Sequence, residues 1–170
     1  MVKLDLKDRK ILYELDLDSR QSFQEIAKKV ALSRDSVIYR VNRLKEEGII
    51  KKFHTVIDVG KLGFISFRLY LRLKSTTPHK KEEIINFLKK RKVITWLSTM
   101  EGEYDIGMWI LVKTVKEMNT LWKLLLKKYV NYIGKRNLTI FTKVSYFPRT
   151  YLVDIKYNDK EFVFITEPER

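Results

Sequence analysis

The chain has 170 residues, 45% of them hydrophobic and 33% charged, which is typical of one or two folded globular domains and excludes a disordered chain. Its formal net charge of +14 favours a polyanionic partner, most often nucleic acid and less often an anionic membrane surface. The absence of cysteine excludes disulfides and thiol chemistry, and with only two histidines in the chain no metal or cofactor is expected. The chain also lacks a long apolar run and a secretory signal, so a cytoplasmic protein without a membrane partner is predicted.

The positive charge is unevenly distributed. Residues 1–50 contain 11 Lys and Arg against 9 Asp and Glu, whereas residues 51–170 contain 24 against 12. The lysine runs of the second part are also compatible with ordinary solvated helix surfaces, so their charge does not by itself identify a binding site.

Three short helices are predicted in the first 50 residues. Asp5 can cap a first helix that runs to about residue 17, and Ser22 with Glu25 has the capping-box spacing of a second. Ser33 can cap a third helix that ends at Gly48. Because a tight turn joins the second and third helices, the segment is expected to be a helix-turn-helix domain.

The third helix has one apolar stripe and one polar arc. Val37, Val41 and Leu44 recur at helical spacing and are expected to face the core. A major groove accepts the N-terminal half of such a helix, where Arg pairs with guanine and Ser or Tyr reaches a phosphate or a base edge. A solvated helix with ordinary charges is the alternative. The side chains expected on the outward arc are Arg34, Ser36, Tyr39, Arg40 and Arg43.

Beyond Gly48 the hydrophobic period changes from 3.6 to 2 residues. Residues 49–58 are strand-like, and from residue 64 the patterns predict strand, helix, strand, strand, helix, strand. Gly134 is expected to close the second of these helices. The predicted fold class is therefore α+β, with a ferredoxin-like βαββαβ domain following the helix-turn-helix domain. The predicted strands cover residues 64–73, 93–100, 106–113 and 138–147.

The predicted sheet has both helices on one face, which leaves the other face uncovered. Because that face carries large side chains, a homodimer that buries it is expected. Residues 151–157 and 161–166 are expected to form an added hairpin. The domain boundaries predicted from these patterns are 1–50 for the helix-turn-helix domain, 51–63 for a connector, 64–150 for the ferredoxin-like domain and 151–170 for a C-terminal extension.

The N-terminal third of the chain resembles the Lrp/AsnC family of feast-or-famine transcription regulators. A second resemblance, to the ligand-sensing domain of that family, covers about residues 64–147 and includes Gly102-Glu103-Tyr104-Asp105. The N-terminal resemblance rests on Leu4-Asp5 with Asp8 and Ile11, on Ile26-Ala27, on Leu32-Ser33, on Val37, Arg40 and Arg43-Leu44, and on Glu47-Gly48-Ile49-Ile50.

The resemblance implies a regulator with a winged-helix-like or plain helix-turn-helix domain that binds palindromic double-stranded DNA as a dimer, tetramer or octamer. It also implies a response to a small effector, commonly an amino acid. It places the effector site on Gly102, Tyr104 and Asp105, and the DNA contacts on Ser33, Arg34, Ser36, Tyr39, Arg40 and Arg43. A glycine exposes backbone amides to a carboxylate, and an aspartate accepts from an ammonium group. The alternative for this loop is a hairpin in which Tyr104 is packed and Asp105 is satisfied by turn amides.

Two other functions stay open. Lrp-like siroheme decarboxylases resemble chains of this architecture, but His54 and His79 do not lie beside a predicted strand-end carboxylate pair, so no catalytic residue and no enzyme activity are expected. A pure interaction module with a vestigial DNA arm is the other alternative. The basic second domain and the residues after Pro148 are not required by the family pattern, and wrapping of DNA by that domain is a hypothesis.

Overall fold

The computed structural model describes residues 2–153 and 162–165. Among the described residues, the chain divides into two compact units. One is formed by residues 2–56, 146–153 and 162, and the other by residues 57–145 and 163–165. None of the helices in the described part of the chain is long and apolar enough to cross a membrane. The elements of the first unit are α1 (Leu6–Leu17), α2 (Phe23–Val30) and α3 (Arg34–Glu46).

Each helix of the first unit begins at the predicted cap. The Asp5 side chain accepts the Asp8 N–H at 2.7 Å, the Ser22 hydroxyl accepts the Glu25 N–H, and the Ser33 hydroxyl accepts from the third helix. In the turn between α2 and α3, Ala31 adopts a left-handed conformation with φ of 52°. This conformation is uncommon for alanine, and it lets α3 turn back across α2. The core between the three helices consists of Ile11, Leu15, Ile26, Ala27, Val30, Val37 and Val41.

The second unit contains four strands and two helices in the predicted ferredoxin-like order. The strands associate as β2-β3-β1-β4, and every neighbouring pair is antiparallel. Pro78 occupies the first turn of its helix, and Thr114 caps the next. The elements are β1 (Ile65–Leu73), α4 (Pro78–Lys89), β2 (Ile94–Thr99), β3 (Ile106–Val112), α5 (Val115–Tyr129) and β4 (Ile133–Ile140).

The alternation in β1 separates the two faces of this sheet. Phe67, Leu69 and Leu71 are buried together with the apolar sides of α4 and α5, as their spacing predicts. The neighbouring positions Arg68 and Tyr70 point to the opposite face, which neither helix covers. The sheet is therefore covered by helices on one face only.

Three sequence predictions about the strands are wrong. Residues 49–58 contain no strand, and residues 51–57 are exposed; alternation gives strand propensity, but a strand also needs a backbone partner. Gly134 lies inside β4, because α5 ends at Tyr129 and a 3₁₀ turn over Val130–Tyr132 leads directly into the strand. The fourth strand consequently starts at Ile133 rather than at residue 138, and it ends at Ile140.

The residues after β4 form a separate two-stranded sheet. Its strands are β5 (Val144–Tyr146) and β6 (Phe162–Ile165). The second strand predicted for the tail is therefore present, but it pairs with β5. Residues 150–152, at the start of the first predicted tail strand, form a 3₁₀ turn instead, and residues 154–157 lie outside the described residues.

Candidate nucleic-acid interface

The N-terminal end of α3 is held by a compact serine cap. The Ser33 hydroxyl accepts the Ser36 N–H at 3.2 Å, and the two serine hydroxyl oxygens lie 2.8 Å apart. Val37, Val41 and Leu44 are fully buried, so one face of α3 is anchored to the core. The opposite face of the helix is therefore left to solvent.

Two of the six predicted DNA contacts lie free on the surface of α3. Tyr39 is 68% exposed, and Arg34 is exposed with no carboxylate partner among the described residues. Ser33 and Ser36 have their hydroxyl groups engaged in the cap, although Ser33 remains exposed. The first half of α3 thus exposes the Arg34 guanidinium and the Tyr39 phenol.

The other two predicted contacts, Arg40 and Arg43, do not project freely outward. The expected orientation of these two side chains is wrong, and their contact with DNA stays a prediction. Arg40 Nη1 donates to Asp5 Oδ2 and to Asp8 Oδ1, each at 2.7 Å. Arg43 Nη2 donates to the second oxygen of Asp8 at 2.6 Å. The reason is helical geometry: Arg40 is three residues after Val37, so it lies on the border of the buried stripe.

Asp8 is the residue of this network that sequence reasoning missed. Its side chain is only 1% exposed, and both of its carboxylate oxygens accept from an arginine of α3. Asp8 also accepts the Asp5 N–H at 3.2 Å, which completes a capping box. The Asp5 and Asp8 carboxylates thus join the start of α1 to the middle of α3.

These contacts favour the charged forms of Asp5 and Arg40. The hydrogen bond from the Asp8 N–H, followed by that from Arg40, lowers the pKa of the Asp5 carboxyl. Hydrogen bonds to Asp5 and Asp8 raise the pKa of Arg40 above its already high ordinary value. The two carboxylates therefore favour the cationic form of Arg40.

The predicted effector loop of the second unit is also internally bonded. Asp105 Oδ2 accepts the Leu73 N–H at 2.8 Å, with Arg72 Nε at 3.7 Å and Lys81 Nζ at 3.6 Å from the carboxylate. The Asp105 carboxylate is therefore occupied, as the alternative for this loop anticipated, although the amide belongs to β1 rather than to the turn.

Gly102 and Tyr104 also make contacts with residues of β1. The Gly102 carbonyl accepts from Arg72 Nη1 at 2.6 Å, and the Tyr104 ring centroid lies 5.6 Å from that of Tyr70. Gly102 has φ of 130°, a conformation that side chains rarely adopt, and a Cβ there would meet open space. The loop therefore presents exposed backbone beside the Arg72 guanidinium.

Residues 146–149, from the end of β5 onwards, are bound to α1 through the Asp16 carboxylate. Tyr146 donates its hydroxyl to Asp16 Oδ1 at 2.8 Å, and the Arg149 N–H donates to Asp16 Oδ2 at 2.8 Å; the Arg149 guanidinium also pairs with this carboxylate. Burial and then the hydrogen bond to Asp16 raise the pKa of Tyr146 to about 12. No local signal in the sequence indicates this contact, because its partners are 130 or more residues apart.

No metal-binding cluster of three or more His, Cys, Asp or Glu side chains occurs among the described residues. Both histidines, His54 and His79, are exposed.

Comparison with known proteins supports both halves of this architecture. Residues 4–51 match the family described as winged helix-turn-helix DNA-binding. The chain is 39% identical over 126 residues to the HTH-type transcriptional regulator Ptr1 of Methanocaldococcus jannaschii, and the alignment covers 74% of this chain and 81% of that relative.

Solved structures share the fold across most of its length. LrpC of B. subtilis has a TM-score of 0.68 and 26% identity, with coverage of 82% of this chain and 95% of that chain. The transcriptional regulator NMB0573 of Neisseria meningitidis, solved as a complex with L-Met, has a TM-score of 0.69 and 18% identity, with coverage of 86% and 95%.

Proposed function

The chain belongs to the Lrp/AsnC family of HTH-type transcriptional regulators, and from that premise we propose that it recognises specific double-stranded DNA as a dimer or higher oligomer under the control of a small effector. Membership of the family establishes the regulator function and the helix-turn-helix DNA-binding domain. The contact residues, the oligomer and the effector are the proposed part.

The observation that carries the DNA proposal is the exposed N-terminal half of α3. Arg34 and Tyr39 are exposed while the opposite side of the helix is fixed in the core. A helix of this kind enters the major groove with its first turns against base edges, where an arginine pairs with guanine. We assign base recognition to Arg34 and Tyr39, and phosphate contacts to Ser33 and Ser36.

Arg40 and Arg43 have a different role in this proposal. Both are oriented by Asp8, and both Arg40 hydrogen bonds use Nη1, so its other N–H groups point away from those carboxylates. A guanidinium has five N–H donors in a fixed fork, so one that is already paired still binds a phosphate. The two arginines are therefore proposed as preoriented phosphate contacts.

The uncovered face of the sheet supports the proposed dimer. Arg68 on β1 lies between Trp96, Trp109 and Phe141, with its guanidinium carbon 4.7, 5.1 and 5.3 Å from the three ring centroids. Trp96 is 46% exposed, and Arg68 Nε is buried without a hydrogen-bond partner among the described residues. A second copy packed on this face would cover the tryptophan and supply an acceptor.

For the effector we propose an amino acid bound beside the loop that contains Gly102, Tyr104 and Asp105. The NMB0573 complex contains L-Met, and the loop of this chain combines the exposed backbone of Gly102 with the Arg72 guanidinium. These groups suit a carboxylate. Since the Asp105 carboxylate already accepts the Leu73 N–H, its proposed role is to orient Arg72 rather than to bind the ammonium group.

Catalysis is not part of this proposal. The named relatives are transcriptional regulators, and neither His54 nor His79 lies in a buried polar site. A siroheme decarboxylase would bind a tetrapyrrole, so a shift in the absorbance of added tetrapyrrole would support the enzyme alternative.

The test is selection of bound sequences from random duplexes with the purified full chain, with and without single amino acids. We expect one enriched palindromic motif, with enrichment altered by at least one amino acid. Arg34→Ala and Tyr39→Ala should each lose about 1–3 kcal/mol on the selected site and relax one base position. Arg20→Ala, an exposed arginine outside α3, is the matched control.

A chain that binds all duplexes equally would overturn the recognition proposal. Loss of selection in Arg20→Ala to the same extent as in Arg34→Ala would overturn the assignment of base recognition to α3. Unchanged selection with every amino acid would overturn the effector proposal and leave the DNA proposal intact.

A further inference from the structure

An apolar groove lies beside the edge strand of the second unit. On the helix-covered face, Leu138 of β4 pairs with Leu69 of β1, and Ile140 pairs with Phe67. Leu69 and Phe67 are 1% and 3% exposed, whereas Leu138 and Ile140 are 43% and 57% exposed. Helix α5 therefore covers β1 but stops short of β4, and a groove opens between the helix and the edge strand.

The groove encloses about 380 Å³, within the range of roughly 300–1,000 Å³ that holds small molecules. Its floor consists of Phe67, Leu69 and Met118, which also belong to the core. Its walls are the half-buried Trp122 on α5 and the exposed Leu138 on β4. The interior surface is thus almost entirely hydrocarbon and indole.

The rim of the groove is cationic. Arg136 of β4 and Lys116 of α5 are both exposed and line the opening, and the Arg136 guanidinium carbon lies 4.1 Å from the Trp122 ring centroid. The lining contains no acidic residue, and neither cation has a carboxylate partner among the described residues. An apolar interior with a guanidinium at its mouth matches a molecule with an apolar body and one anionic head.

We propose that this groove is a second small-molecule site that binds amphipathic carboxylates, such as medium-chain fatty acids. The alkyl chain lies on Phe67, Leu69 and Met118 between Trp122 and Leu138, and the carboxylate pairs with Arg136. The site is separate from the loop of Gly102 and Tyr104 and does not depend on the proposed effector. A second protein copy on the groove is the competing occupant, but it would cover Arg136 and Lys116, which are costly to bury without partners.

The test is titration of the full chain with hexanoate, octanoate and decanoate below their micelle-forming concentrations, by calorimetry and by tryptophan fluorescence. We expect one saturable site per chain, with affinity rising up to about fourfold per methylene until the groove is filled, equivalent to about 0.8 kcal/mol per buried methylene. Decanol should bind at least tenfold more weakly than decanoate. Trp122→Phe should abolish the fluorescence response while the calorimetric signal persists.

Variants separate the parts of the site. Arg136→Gln should weaken decanoate binding about tenfold and bring it close to that of decanol. Leu138→Lys, at an exposed position, should abolish binding without unfolding the protein. Lys127→Gln removes an exposed charge of α5 outside the groove, and it should leave binding unchanged.

Several results would overturn the proposal: no saturable binding, equal affinity for decanoate and decanol, or an Arg136→Gln variant that binds like the natural chain. If Leu138→Lys changes the oligomeric state in light scattering and no carboxylate binds, the groove is an interface between copies. Since every measurement is made without DNA, failure of this proposal leaves the DNA-binding proposal untouched.

Discussion

The carboxylate of Asp8, near the start of α1, accepts a hydrogen bond from the Arg40 guanidinium of α3 at 2.7 Å. Asp8 is 1% exposed and also accepts from Arg43, so one buried anion holds two cations of the helix proposed to enter DNA. Both arginines are only partly exposed. The orientation of α3 thus depends on a charge network as well as on hydrophobic packing.

Removal of both arginines should destabilise the first unit more than removal of the aspartate. Arg40→Ala with Arg43→Ala leaves the buried Asp8 carboxylate without a cation, which should cost about 3–5 kcal/mol of unfolding free energy. Asp8→Ala leaves two arginines that reach solvent, and it should cost about 1–3 kcal/mol. Chemical unfolding followed by circular dichroism measures both values.

Adding Asp8→Ala to the double arginine variant should restore part of the lost stability, because it removes the unpaired charge. Strictly additive effects of the three substitutions would show that Asp8 does not depend on the two arginines. Lys10→Ala, an exposed cation of α1, is the control and should change the unfolding free energy by less than about 0.5 kcal/mol.

The salt dependence of DNA binding tests whether the basic second unit contacts phosphates. Residues 57–145 of this unit contain 18 Lys and Arg against 7 Asp and Glu, and Lys90 and Lys92 are exposed. Each phosphate contact adds about 0.9 to the magnitude of the slope of log affinity against log salt. If DNA wraps around this unit, Lys90→Gln with Lys92→Gln should lower that magnitude by about 1.8 per chain. If the natural chain has a slope magnitude near 2 per dimer, wrapping is excluded.

The local signals in the sequence were sufficient to predict the helix starts and the order of elements. Asp5, Ser22 and Ser33 each lie within three residues of the amides they cap, so their patterns are visible in a short window. The alternation of β1 is visible because one of its faces is buried. Strand β4 lies at the sheet edge with nearly all of its residues exposed, so its alternation is weak, and its start was predicted five residues late.

The candidate site was less predictable, because its important contacts are remote in sequence. Asp8 and Arg40 are 32 residues apart, and whether an arginine at the border of a helix stripe points to solvent or to a neighbouring helix depends on the packing angle. The same holds for Asp105, whose amide partner on β1 is also 32 residues away. Spacing identified these residues as functional candidates but did not reveal their partners.

The uncovered sheet face predicts a disruptive substitution for the proposed dimer. Trp96→Lys would place a second cation beside Arg68 and remove exposed apolar surface, so it should weaken association at least tenfold. Leu124→Lys changes an equally exposed apolar residue on α5, on the other side of the sheet, and should leave association unchanged. Analytical ultracentrifugation of both variants measures this; a Trp96→Lys variant with unaltered association would place the dimer contact elsewhere.

Glu83 should make the stability of the second unit depend on pH in the acid range. A hydrogen bond from Lys80, and then those from Lys128 and Tyr129, lowers the pKa of the Glu83 carboxyl to about 2 from an ordinary value of 4.5. Because the folded pKa is lowered, the contribution of Glu83 is complete above 4.5 and is lost as the pH falls towards 2.

Urea unfolding monitored by tryptophan fluorescence measures this effect, since all three tryptophans lie in the second unit. Glu83→Gln should flatten the decline of stability between pH 4.5 and pH 2. Glu82→Gln, at the neighbouring exposed position, should retain it. An equal decline in the natural chain and in Glu83→Gln would show that these hydrogen bonds do not stabilise the fold.

Asp16 should control how firmly residues 146–149 are held on α1. Asp16→Asn keeps a hydrogen-bond acceptor for Tyr146 but removes the charge that pairs with Arg149, so the segment should open more often. Trypsin should therefore cleave after Arg149 at least several times faster in Asp16→Asn than in the natural chain. Asp18→Asn, an exposed position at the end of α1, serves as the matched control.

The same substitution should alter the titration of Tyr146. Its pKa of about 12 depends on burial and on the Asp16 carboxylate, so Asp16→Asn should move it towards the ordinary value of 10. Since the folded pKa is raised, the contribution of Tyr146 is complete below 10 and is lost as the pH rises towards 12. Tyrosinate absorbance is titrated in the natural chain and in Tyr146→Phe, and the difference between the two curves gives the pKa of Tyr146. If Asp16→Asn leaves that pKa unaltered, burial causes the whole shift.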